Sequence, residues 1–542
     1  MKRLFLSLIA LFGINLSAEL PANLREVWFD PSGIAGTTSA NGSYTNPLGG
    51  SGNLFDKNMH ELCAGKAGAP NYSNIVIHLR AGTYMTTGWR FNSRFEPNEP
   101  VWRLRQGQRL VGDGIDITII RRSKPENDLY YVVGSAPGET GVEIADLTVD
   151  ANYWASSNPR ISGGGVNFGN LGRARGIKVV GTSGNTTVNG GDAEVFSLRM
   201  SGTTLSGTVD RTATGGLIAN CEVSNIKAGY VSGLMPGAGQ IMVQNNRIFL
   251  PHWTLDGSEN EHSKRPSCIN LVDCVNTIIT GNFTSGGYCG IYSDTGIHTN
   301  LVISQNQFID TVRGIDFMRG YAAVVDSLLI IDNIIQLSQD SSVTDNRYGV
   351  ILHSEVKDRS FQISQCTIRG NKVKGGNSAP KTWGVYLLRV TSPSCYDNQL
   401  DNSGASGGNM QTYFDVSGGY IYNLMNQNGA PVDKQKWRSR ESSDSIAAKS
   451  VSAADAGSTY SITSGEKYVG TQKPGLTLFL PDAGSLSGKE YIVANETGKV
   501  LKGTGLKCTV PGQTINGSDF VSLAQPYTSI RVISNGTGWI RF

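Results

Sequence analysis

Net charge of either sign is what this sequence has least of. Its 47 Lys and Arg face 44 Asp and Glu, leaving +3 over 542 residues. So balanced a chain has no general attraction for nucleic acid or an anionic membrane. No run of about 18 apolar residues occurs, so no helix spanning a bilayer is expected. No His and Cys spacing resembles a zinc site. The middle of the chain also lacks the 3.6-residue apolar period of amphipathic helices. Disorder is excluded as well: there are 67 Gly, yet 39% of residues are hydrophobic, enough to bury a core.

One apolar run opens the chain. Lys2 and Arg3 precede Leu4 to Leu16, and Leu16-Ser17-Ala18 offers a cleavage site after Ala18. This is the pattern of a signal peptide over residues 1–18, and it predicts a secreted or cell-surface protein. All eight Cys lie beyond it, where export permits disulfides. Cys268, Cys274 and Cys289 are close enough in sequence to supply one bridge. Cys366 and Cys395 fall on inward slots of neighbouring repeats, as a bridge or as stacked thiols.

What is present is a repeat. An Asn returns seven times in one setting, at Asn220, Asn246, Asn282, Asn306, Asn333, Asn371 and Asn398, in steps of 26, 36, 24, 27, 38 and 27 residues. An apolar residue stands three before each. Another stands two after most of them, with Glu222 and Thr284 as exceptions. A second marker runs in phase: Gly290, Gly314, Gly349 and Gly384, each followed by mostly apolar residues at positions one and three. That is the period of a strand with one buried face. A repeat of this length means a solenoid or propeller. Short strands with an Asn at each turn predict an all-β, right-handed parallel β-helix, a single-stranded solenoid with an Asn ladder. A β-sandwich with accidental spacing is the alternative.

The flanks differ from the repeats. Phe55, Met59, Leu62 and Cys63 have helical spacing after Asn53, an N-cap residue type, which predicts an N-terminal capping helix. Residues 19–425 are assigned to the capped β-helix, and 426–454 to a polar linker or a crossover beside it. Residues 455–542 carry short strands and Asn-Gly turns, a small C-terminal β-domain.

The order Val27-Trp-Phe-Asp-Pro-Ser-Gly33, capping helix, Ile75-Val-Ile-His-Leu79, Ala81-Gly-Thr-Tyr84 resembles the opening of secreted pectate-lyase-like right-handed β-helix proteins. The last 90 or so residues resemble the small β-modules of bacteriophage tail spikes and fibres. The first resemblance implies a polysaccharide as partner, with Ca2+ as cofactor if the chemistry is that of a lyase. The second implies a homotrimer or glycan contact. The Arg-x-Pro-x-x-Arg pattern of pectate lyases is absent, as are the Asp-Asp plus Gly-His-Gly set of polygalacturonases and the pectin methylesterase signature. No catalytic residue carries over. Fold does not imply activity, so three readings stand: a glycoside hydrolase or polysaccharide lyase, a non-catalytic glycan-binding adhesive protein, and a structural surface protein.

Candidate site residues come from the second marker. Positions two and four after each Gly point away from the core, giving Tyr292, Asp294, Asp316, His353 and Tyr386, with Asn270 one coil earlier. Aromatic, amide and acidic groups on one stripe suit sugar binding. An ordinary solvated strand face would carry polar residues too. Asp294 and Asp316 lie on consecutive coils, 22 residues apart. Their Cα atoms are expected about 8 Å apart, within the ~6.5–9.5 Å carboxyl spacing of inverting glycosidases. The insertion before this stripe adds Trp253, Asp256, Glu261, Lys264 and Arg265 as substrate-binding candidates. No metal ligand set is assigned.

Overall fold

The computed structural model describes residues 25–32, 42–64, 73–90, 102–123, 130–155, 163–183, 195–202, 208–226, 231–251, 266–318, 324–340, 343, 345–353, 362–375, 382–401, 411–417, 420–422, 425–426, 437–439, 447–451 and most of 458–541. Residues 1–18, expected to be a signal peptide, and the insertion of residues 252–265 lie outside them.

Parallel pairing dominates, in one 36-stranded sheet that winds as a right-handed parallel β-helix. Its regularity shows in three rows of inward side chains. The first runs Val27, Ile77, Leu110, Ile144, Ala174, Ile218, Val243, Ile279, Ile303, Ile330, Ile368, Cys395, Ile421, each the register partner of the next. The second includes Val179, Val223, Ile248, Thr284, Phe308, Ile335, Val373 and Leu400. The third runs Val133, Val166, Leu198, Leu234, Ile269, Ile291, Ile315, Val350, Val385. Except for Thr284, these residues belong to one continuous buried core, so each coil buries its apolar residues only by stacking on its neighbours.

The helix Asn53–Ala64 covers the first coil, as its spacing predicts, and buries Phe55, Met59, Leu62 and Cys63. Asp56 in its first turn is buried too. Its carboxylate accepts hydrogen bonds from the Thr86 hydroxyl, the Trp102 indole, and the amide and hydroxyl of Thr87. A buried carboxylate is tolerated when its lone pairs are this well used.

Six of the seven repeated Asn form the ladder. The Nδ2 of Asn246 donates to Oδ1 of Asn282 at 2.8 Å, and the contact recurs along Asn306, Asn333, Asn371 and Asn398 at 2.9, 3.0, 2.9 and 2.9 Å. The same Oδ1 accepts the backbone N–H of the preceding ladder Asn, at 3.0 Å each time. Nδ2 also donates to a backbone carbonyl one coil back, from Ile218 through Ile368.

Asn220 is the correction. It is exposed, with φ +52, and Cys221 occupies the ladder position, its N–H donating to Oδ1 of Asn246 at 2.8 Å. The left-handed residue is the one before the rung in every coil: Asn245, Gly281, Gln305, Asp332, Gly370, Asp397. Shifting the first repeat by one also removes the Glu222 exception, because Val223 is the inward residue there.

The marker glycines answer to close approach. A Cβ on Gly290, Gly314 or Gly349 would lie 2.5–2.6 Å from the carbonyl oxygen of the next marker Gly, so no side chain fits. Glu143–Asp150 is one strand kinked at Asp146, φ +55, and so pairs with two strands of the coil before.

Two expectations shift. The eight Cys are free thiols, seven of them buried, and Cys268, Cys274 and Cys289 form no bridge. The tract read as a linker contributes a further strand: Trp437–Ser439 pairs in parallel with Gln411–Ser417. Beyond it, Ala447–Val451, Glu466–Thr471 and Glu490–Asn495 pair in parallel, and only then come the antiparallel Ser529–Ser534 and Trp539–Arg541. A four-stranded sheet follows the same plan, and Leu478, Tyr491, Val493, Leu506, Val532 and Trp539 share a core separate from that of the β-helix. Asn-Gly turns account for the hairpin at Asn535 and not for the parallel half, which continues solenoid-style stacking.

Asn306→Ala should lower the unfolding free energy by about 2–4 kcal/mol, since buried amide partners lose their bonds on both neighbouring coils. Asn220→Gly, at a left-handed exposed position, should shift it by less than about 0.5 kcal/mol. Urea unfolding of both variants checks the assignment; equal effects would overturn it.

Candidate functional site

The outer side of the third sheet carries the stripe. Its strands are Ser267–Cys274, Cys289–Thr295, Arg313–Met318, Arg347–His353, Thr382–Thr391 and Gln411–Ser417. Register places Asn270, Tyr292, Asp316, Ile351, Tyr386 and Tyr413 in one row along the helix axis. A second row, unnoticed in the sequence, lies just before the marker Gly: Cys289, Arg313, Tyr348 and Trp383, with Gln411 as the register partner of Trp383 on the next coil. The signal was there, a bulky or polar residue preceding each of those glycines.

The two rows meet around an ion pair. Arg313 Nη1 donates to Asp316 Oδ2 at 2.7 Å, and Asp316 has 0% exposure. The guanidinium lies over the rings of Tyr288, at 4.9 Å, and Tyr348, at 5.3 Å. The Tyr288 hydroxyl donates to Asp345 Oδ2 at 2.7 Å. Cys289 Sγ lies 3.8 Å from Asp316 Oδ2. Burial opposes the charge on Arg313, but Asp316, Tyr288 and Cys289 outweigh it and raise its pKa above the ordinary value. Burial likewise raises the Tyr348 phenol.

Aromatic rings continue the row. Tyr348 meets Tyr386 edge-on at 5.5 Å, Tyr386 stacks on Tyr413 at 4.7 Å and 16°, and Trp383 and His353 meet Tyr386 edge-on at 5.4 and 6.0 Å. Rings on neighbouring coils that stack in this way turn their faces toward one another and their edges outward. Tyr348, Tyr386 and Tyr413 are half-buried, while Trp383 is buried.

The expected solvated stripe is thus partly covered. Asn270, Asp316, Ile351 and His353 point away from the core yet are 0–8% exposed. Beside Asp316 stands a second apolar cluster separate from the main core, built by Tyr288, Cys289, Val312 and Val343 with Tyr292 packed against it, and Cys289 reaches the Asp316 carboxylate. Asp294 lies on its strand at the edge of this face, and its side chain is outside the described residues. Trp253, Asp256, Glu261, Lys264 and Arg265 also lie outside them. No group of three or more His, Cys, Asp or Glu able to hold a metal occurs among the described residues.

A Ser–His pair that the sequence did not reveal sits nearby. Ser293 Oγ and His298 Nε2 are 2.7 Å apart, both residues buried. The Cys274 N–H donates to His298 Nδ1 at 3.3 Å, so the network assigns the proton to Nε2. That tautomer donates to the serine and cannot take its proton, so the pair serves packing.

No family model matches the chain, and no curated protein does. Among solved structures it is similar to a family 28 exopolygalacturonase of Yersinia enterocolitica, at 12% identity and TM-score 0.44, covering 77% of this chain and 78% of that one. It is similar to the Dettilon tailspike protein, at 12% and 0.37, covering 89% and 72%. It is also similar to PfbA, a surface adhesin of Streptococcus pneumoniae, at 11% and 0.35, covering 90% and 94%. Likeness at this level concerns the fold alone. In the described residues no helix is long and apolar enough to cross a membrane.

Asp316→Asn should lower stability by about 3–5 kcal/mol, because Arg313 is left buried without its counter-charge. A solvated catalytic acid would show almost no change. Thermal or urea unfolding distinguishes the two.

Proposed function

We propose that this chain is a secreted or surface β-helix protein that holds a polysaccharide against the outer face of its third sheet. The observation that supports the reading best is the set of half-buried tyrosines on three successive coils, Tyr348, Tyr386 and Tyr413, in contact at 5.5 and 4.7 Å. Tyrosine edges and hydroxyls offer sugars an apolar surface with polar handles. Register repeats these groups coil by coil at ~4.8 Å, the parallel strand spacing. Such a ladder suits a linear polymer better than a small molecule.

A cutting version of the same site would pair Asp294 with Asp316. A carboxylate already committed to a guanidinium and shut away from solvent has no route to the water an inverting hydrolysis needs. Holding is therefore favoured over cutting. Trp253, Asp256, Glu261, Lys264 and Arg265 remain sequence candidates for contact with the polymer.

Retention on a panel of immobilised polysaccharides tests the proposal. Tyr386→Ala and Tyr413→Ala should each weaken binding about three- to tenfold, with no reducing ends or unsaturated products released by the unaltered protein. Failure of every polysaccharide to retain the protein would sink the reading. Product release abolished by Asp294→Asn would replace holding with cutting.

A further inference from the structure

The sequence pattern treats Arg313 as the residue before a marker glycine and gives it no role. Its position is unusual. The side chain is 10% exposed and carries a full charge, and Asp316, which is sealed from solvent, neutralises it. A buried pair of this kind rarely adds net stability over apolar residues of the same volume. What it does here is hold a plane in place between two rings. Tyr288 belongs to one coil and is anchored by Asp345; Tyr348 belongs to the next coil along from Arg313 and touches Tyr386. Tyr386 in turn stacks on Tyr413.

We infer that Arg313 is a positioning residue: its guanidinium, oriented by Asp316, sets the Tyr348 ring and through it the alignment of Tyr386 and Tyr413 along the polysaccharide face. The chain of contact starts within one strand, from Asp316 to Arg313, and then runs Tyr348, Tyr386, Tyr413, one step per coil. A planar guanidinium can lie flat on a ring while its edge is held by a carboxylate; an ammonium cannot do both. The inference rests on the proposed glycan face for its consequence, and on the observed contacts alone for its structural content.

Two variants of the full chain test it. Arg313→Lys leaves a cation opposite Asp316 and removes the plane. Arg313→Gln with Asp316→Asn removes both charges, so neither partner is left buried and unpaired, and it carries the test if the lysine variant fails to fold. Both should keep the far-ultraviolet spectrum, lose a large part of the near-ultraviolet circular dichroism of the coupled rings, and bind the retained polysaccharide about two- to tenfold more weakly. Tyr413→Phe, which keeps the stacked ring, should leave the near-ultraviolet signal in place. If both Arg313 variants keep the aromatic signal and the affinity of the unaltered protein, the inference is overturned. If the unaltered protein binds no polysaccharide, the functional proposal falls, and the aromatic spectrum by itself decides for or against the positioning role.

Discussion

The structure depends on one buried hydrogen-bonding problem and its solution. Each coil must turn from one sheet to the next inside a stack, where backbone N–H groups have no water to meet. From Asn246 to Asn398 the turn is made by a left-handed residue followed by an Asn whose amide uses both ends. One oxygen takes a side-chain and a backbone donor from the coil before, and one nitrogen serves a rung and a carbonyl. A buried polar group costs free energy only when unsatisfied. Here satisfaction propagates, and it holds the coils in register without a single disulfide among the described cysteines.

That register decides where everything else stands. Because successive coils are aligned residue for residue, any outward position recurs as a row along the axis. The proposed glycan face is one such row pair. Its aromatic members touch because register brings Tyr348, Tyr386 and Tyr413 onto neighbouring strands. Its ion pair exists because Arg313 and Asp316 flank the glycine corner of a single strand. The corner admits no side chain at Gly314, since a Cβ there would meet the carbonyl of Gly349 at 2.5 Å.

The same face shows how burial and direction part company. Asp316 and Ile351 do point away from the main core. They are nevertheless sealed, and around Asp316 the cover includes Arg313 and the Cys289 of a small second core built with Tyr288, Val312 and Val343. A carboxylate in such a place is a structural partner. The proposed role of the face therefore moves from acid and base to contact.

The period of the repeat, the inward rows, the capping helix and most of the ladder were legible in the sequence, because alternation on a strand and recurrence between coils are local properties that residue types report directly. Even the one-residue error at Asn220 had its sign in the misplaced Glu222, with Val223 as the true inward residue. What only the tertiary structure decided was cover and partnership. Whether an outward residue meets water depends on segments without periodicity, such as those that bring Tyr288, Val343 and Asp345 over the sheet. Which charge Asp316 faces depends on a corner three residues away. Stacking between neighbouring coils follows from a repeat; what folds over a repeat does not, and here that difference separates an exposed acid from a buried clamp.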